Sequence, residues 1–281
     1  MRIVAFEPDE EECRRIEEGC RNAGIEVTAI ARALGARRGR SQLYLAATRS
    51  GSSVYPPDLN TLSRYRYGSK RFDRHMATER QFPIDVDSLD AVCREYNLPV
   101  PDFIKINAEG SELDIINGGM ESIRHAGGMQ VELTFIPKFI GGCLFSDVDP
   151  VLRGAGYEFC DILTLNQFVP DTEALDFNSF AENTLLTWGP LGAGRKFTSA
   201  KFEGHFLYFN RTTAPTSWTH EHGLKALKTA CLQEGFGHPA AAFQMLENLS
   251  RIAPDEMRHK LQDLLKEARL YFRRRGVASV E

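Results

Sequence analysis

The stretch Asp102-Phe103-Ile104-Lys105-Ile106-Asn107-Ala108-Glu109-Gly110-Ser111-Glu112 decides how this chain is read. A short strand-like run ends abruptly in an amide, a carboxylate and a glycine, and a helical pattern opens directly after them. In open parallel sheets ligands sit beyond the carboxyl ends of the strands, so polar groups gathered at such an end are site candidates. Side chains alternate along a strand, which puts Lys105 and Asn107 on one face and leaves Asn107 and Glu109 near the end where a substrate enters. Gly110 permits a tight turn or a close backbone approach. Taken purely as structure, Glu109 and Ser111 would cap the helix that begins near Glu112.

Outward from this stretch, strand-like segments at 3–6, 26–33, 42–46, 103–107, 130–135 and 157–163 alternate with helix-like ones at 10–23, 88–96, 112–125 and 148–154. The alternation predicts an α/β domain with a parallel sheet covered by helices and joined by right-handed crossovers. Residues 48–82 lapse into Ser, Arg, Tyr, Pro and Gly and read as a surface insertion, a flap facing substrate. A last strand is expected around Phe202 to Phe209. Beyond Arg211 the texture is helical, with Gly235, Gly237, Pro239 and Pro254 separating the helices. The layout is therefore an α/β domain over 1–211 followed by a helical appendage over 212–281.

Composition narrows the function classes. With 281 residues, 42% hydrophobic and 26% charged, the chain is long enough for a sizeable core. A formal charge of -4 supplies no global basic field, so no nucleic-acid partner is expected. The six cysteines form no CxxC pair, so no metal site is expected and reduced thiols in the cytoplasm fit. No apolar run reaches the roughly 20 residues of a membrane span, and no secretory signal opens the chain.

A second strand, Arg2-Ile3-Val4-Ala5-Phe6-Glu7, also closes on an acid, placed where a carboxylate accepts hydrogen bonds from both hydroxyls of a ribose. At this point several segments carry a resemblance. Phe6-Glu7-Pro8, Ala33-Leu34-Gly35, Asp87-Ser88-Leu89-Asp90, the run from Ile104 to Glu112, and Gln130-Val131-Glu132 resemble, in order and spacing, the FkbM family of S-adenosylmethionine-dependent methyltransferases. The resemblance covers about residues 1–165 and is weaker around 204–209. It implies a class I methyltransferase (Rossmann-like) fold, with Glu7 and Pro8 at the ribose of S-adenosyl-L-methionine and Ala33 and Leu34 near its adenine. It also implies O-methylation of a small-molecule or saccharide acceptor, with Asn107, Glu109 and Glu132 lining the place where the methyl group crosses. Such an enzyme positions the acceptor oxygen, helps remove its proton and replaces water around the sulfonium.

Two departures from the family pattern bear on activity. The usual Asp of the Lys-Ile-Asp-x-Glu-Gly motif is Asn107, which cannot act as a base, so any base is Glu109, Glu132 or His205. The glycine-rich turn that follows the family's first strand is also missing, and Gly192-Ala193-Gly194 stands in the wrong context for it. The sequence therefore reads as a sheet lacking its first strand, with weak affinity for the methyl donor. Either a slot lies open between the strands at 3–6 and 103–107, or the two pair directly. The methyl-donor reading needs Glu7 and the Asn107/Glu109 pair at one rim of the sheet. The alternative is a noncatalytic methyltransferase-like scaffold that binds a partner through the insertion and the C-terminal helices.

Overall fold

The computed structural model describes residues 2–67, 70–167, 169–172, 201–211 and 214–274, so Gly192-Ala193-Gly194 lies outside the described residues. The chain opens with β1 (Arg2–Phe6), α1 (Glu10–Asn22) and β2 (Glu26–Ile30), a βαβ unit whose two strands pair in parallel. Asp9 starts α1 by accepting the N–H groups of Glu11 and Glu12 at 2.7 and 3.3 Å, and three glutamates in the first turn suit the positive end of the helix dipole. The strand expected over 26–33 stops at Ile30. It resumes as β3 (Ala33–Gly35), which belongs to a different sheet.

The segments β4 (Gly39–Ala46), α2 (Leu59–Leu62), β5 (Tyr65–Tyr67), β6 (Lys70–Arg71), α3 (Phe72–Met76) and β7 (Thr78–Ser88) follow. Residues 48–82, read from sequence as a surface excursion, thus hold helices and strands of their own. Leu62, Phe72 and Met76 are buried there in a small core with Phe139 and Phe202. Next come α4 (Leu89–Glu95), β8 (Phe103–Ile106), α5 (Glu112–Gly118), α6 (Met120–His125), β9 (Gly128–Thr134), α7 (Phe145–Gly154), β10 (Tyr157–Gln167), β11 (Val169–Pro170) and β12 (Lys201–Asn210). Three helices close the described chain: α8 (His220–Gly235), α9 (Pro239–Ile252) and α10 (Asp255–Arg274). No described helix is long and apolar enough to cross a membrane.

The expected all-parallel sheet is corrected to a mixed one. The main sheet has the order β10-β12-β9-β8, parallel between β8 and β9 but antiparallel on both sides of β12. A second sheet has the order β3-β7-β4, with β4 antiparallel to β7. In the second sheet, connection length sets the directions. Parallel neighbours need a crossover of a dozen or more residues, and the link between β3 and β4 is far shorter, so the two flank β7 in opposite directions. Among the described residues β1 pairs with β2 and β8 with β9, and no ladder joins β1 to β8. Direct pairing of β1 with β8 therefore does not occur.

Alternation in β9 divides the main sheet into two unlike faces. Met129, Val131 and Leu133 point to a buried core with Ile106, Ile115, Ile116, Val148, Leu152 and Phe206. Gln130, Glu132 and Thr134 point the other way, and across the ladder His205 stands opposite Glu132 while Glu203 stands opposite Thr134. That second face carries the polar groups.

Candidate active site

The loop after β8 is held in an unusual backbone shape. Glu109 has φ +50° and Gly110 φ +96°. A left-handed conformation costs a residue with a Cβ about 1–2 kcal/mol, and such strain gathers at functional sites. Gly110 is required as well as permitted, because a Cβ there would lie 2.8 Å from the Phe139 ring. The buried Glu112 carboxylate fixes the loop from inside, accepting the N–H groups of Ala108 at 2.8 Å and Gly110 at 3.0 Å. From outside, Ser53 Oγ donates to the Glu109 carbonyl at 2.6 Å. Nearby, Tyr55 donates its hydroxyl to Asp114 at 2.6 Å. The stretch that sequence suggested as a flap is thus a buttress of this loop.

Around Glu109 the chain assembles a buried charged cluster. Lys138, 5% exposed, places Nζ 2.6 Å from Glu109 Oε2 and 2.8 Å from Glu203 Oε2. Burial works against the ammonium, but the Glu109 and Glu203 carboxylates outweigh it and hold Lys138 charged. Glu132 sits on the same sheet face, diagonal to Glu203 across the β9–β12 ladder. Burial first, and then the charges of Glu203 and Glu109, push its carboxyl up to about 7, with Lys138 opposing them. His205 completes the row, with Nε2 3.7 Å from Glu132 Oε1 and Nδ1 3.0 Å from Gln130 Nε2. Burial and the positive charge of Lys105 lower the basicity of this imidazole.

The geometry gathers strained backbone and a carboxylate poised near neutrality at the carboxyl ends of β8 and β9. The family model of the methyltransferase FkbM domain matches residues 1–159, more than half of the chain. The chain belongs to the FkbM methyltransferase family. No curated protein and no solved structure matches it.

Glu109 and Glu132 come together in the cluster with His205. Asn107 stands exposed at the end of β8, just before the strained loop. Glu7 is half-buried beyond the end of β1, accepting the Asp9 N–H at 3.0 Å, and burial raises its carboxyl above the ordinary range. Pro8 is exposed. Ala33 is buried in β3 opposite Val86, whereas Leu34 packs against the main core and lines a cleft of about 920 Å³ with Val54, Val86, Ser111 and Asp114.

Sequence reading missed Lys138, Glu203 and Glu112. Glu203 carried a usable signal, because it shares the alternation of His205 in one strand. Lys138 carried none, since it sits in the loop after β9 and its partners come from positions far away in the chain.

Proposed function

We propose that this FkbM methyltransferase moves a methyl group from S-adenosyl-L-methionine to a hydroxyl of a small-molecule or saccharide acceptor, with Glu132 as general base. The carrying observation is the difference among the clustered carboxylates. Lys138 pairs with Glu109 and Glu203, while Glu132 is the member whose proton affinity lies near neutrality. A base works best with a pKa near the operating pH, because it must be ionised yet still basic. Asn107, an amide at the strand end, orients the acceptor hydroxyl by hydrogen bonding. Glu109, held by Lys138, keeps the adjoining wall of the site in place.

The residues present suit the donor. Glu7, a half-buried carboxylate at a strand end, fits the paired hydroxyls of a ribose, and Leu34, which lines the cleft beside β3, offers apolar surface for the adenine. When bound, the donor supplies an electrophilic methyl group on a good leaving group. The chain's part is to align the acceptor oxygen, take its proton onto Glu132 and exclude water. We read β1–β2 and β8–β9–β12–β10 as portions of a class I methyltransferase sheet in an α/β domain over 1–211, with the helices from α8 onward as an appendage. The free state of all six cysteines supports a cytoplasmic setting.

The test is transfer of labelled methyl from the donor to a panel of hydroxylated acceptors by the full chain. Transfer that vanishes in Glu132→Gln while donor binding persists supports the reading. Undiminished transfer in that variant removes Glu132 from its role.

A further inference from the structure

Beyond the base itself, the row of polar groups along β9 and β12 contains a residue whose arrangement serves that base. We propose that His205 is a positioning residue for Glu132, fixed by Gln130 in the tautomer that carries its proton on Nε2 and presents that N–H to the carboxylate. This rests on Glu132 being the base.

The geometry is specific. His205 lies directly opposite Glu132 in the antiparallel ladder, and Gln130 is the next residue on the same face of β9. The Gln130 amide faces His205 Nδ1 through its nitrogen at 3.0 Å, and in that orientation the amide donates and Nδ1 accepts, whereas the flipped amide would make Nδ1 the donor. In the orientation found, the ring proton of neutral His205 is on Nε2, the nitrogen that stands 3.7 Å from Glu132 Oε1. Hydrogen bonds in active sites are often long without substrate and tighten when it is in place.

The surroundings keep the ring neutral. Lys105 faces it from β8, Glu132 from β9, and Glu203 from its own strand, while the residue opposite it on β10 is the uncharged Thr164. Burial and Lys105 disfavour the imidazolium, and Glu203 opposes them. A neutral donor beside Glu132 steadies the ionised carboxylate and fixes its orientation. It does so without the full charge neutralisation that would remove its basicity.

The test reads Glu132 directly. Carboxyl carbon-13 resonances of glutamate-labelled full-length chain give the Glu132 midpoint, assigned with Glu132→Gln, and long-range nitrogen-15 spectra give the tautomer of His205. The expected outcome is an Nε2–H ring at neutral pH. The Glu132 midpoint rises in His205→Leu, which removes the donor to the ionised form, and returns toward the wild-type value in His205→Gln, whose amide reaches the same place. With an acceptor present, His205→Leu loses about tenfold in kcat at pH 7 with an unchanged KM for the donor, and His205→Gln recovers most of it. An Nδ1–H ring, or a Glu132 midpoint indifferent to His205→Leu, overturns the proposal. A wild-type Glu132 that titrates in the ordinary carboxylate range instead overturns the base assignment, so the two failures are told apart.

Discussion

At the residue scale, Glu132 holds two properties that one pH titration separates. Its carboxyl lies at about 7 in the fold against an ordinary 4.5, so the folded chain retains a proton there that the unfolded chain has already lost. Stability therefore falls as pH rises between those values and levels off above about 7, at a cost of about 3 kcal/mol. With Glu132 as the proposed base, catalysis runs the other way, since only the ionised form accepts a proton. Glu132→Gln should make the chain more stable at pH 8 than the wild type, with little difference at pH 4, while lowering methyl transfer by about 10²- to 10⁴-fold. The wild-type rate should climb with pH through an apparent midpoint near 7. Denaturant melts across pH and a pH–rate profile check both limbs, and a wild-type profile flat between pH 6 and 8 would contradict the assignment. Strand alternation put Glu109 forward from sequence, and the family resemblance added Glu132, with His205 left as a further candidate base. The choice among them was not readable there, because it depends on which carboxylates Lys138 reaches across the folded sheet.

At the scale of elements, the loop after β9 ties together the loop after β8 and the start of β12 through one ammonium. Removing it by Lys138→Met leaves Glu109 and Glu203 buried without their cation. Breaking a buried pair in this way costs about 3–5 kcal/mol, and the loss should be smaller at pH 5, where the stranded carboxylates can take up protons. Urea unfolding at pH 5 and pH 8 measures the difference, and equal losses at both would mean that the charges are not what the lysine holds. The neighbouring loop is more sensitive to shape. Gly110→Ala brings a Cβ to 2.8 Å from the Phe139 ring at φ +96°, so we expect at least about 2 kcal/mol of destabilisation in the same experiment. Elements around this loop could be read from periodicity, as with the helix expected over 112–125 and found as α5 and α6. The reversed directions of β4 and β12 could not, because hydrophobic alternation is the same for a strand running either way. The packing of residues 48–82 escaped for a related reason: its short elements fall below the length at which a period shows, and their burial comes from distant Phe139 and Phe202.

At the scale of the whole molecule, the C-terminal helices grip the end of the main sheet that lies away from the charged cluster. Phe236, just after α8, stacks on Phe103 at 4.9 Å and meets Phe209 edge-on at 6.3 Å, and these two residues mark the start of β8 and the finish of β12. Glu109 and Glu203 belong to the opposite ends of the same strands. The Lys228–Asp102 ion pair accompanies the ring stack but is about half exposed, with side-chain exposures of 46% and 53%. An exposed pair of this kind is worth under about 1 kcal/mol, whereas losing a half-buried ring from an aromatic cluster costs about 2–3 kcal/mol. Phe236→Ala should therefore lower stability much more than Lys228→Ala, and Phe236→Leu should fall between them. Because the grip is remote from Glu132, methyl transfer by Phe236→Ala under conditions where it stays folded should match the wild-type rate and the wild-type pH midpoint. Chemical denaturation alongside a rate measurement tests both halves of this expectation. A displaced pH midpoint in Phe236→Ala would show that the helices act on the cluster, and a loss no greater than that of Lys228→Ala would show that the aromatic stack does not anchor them.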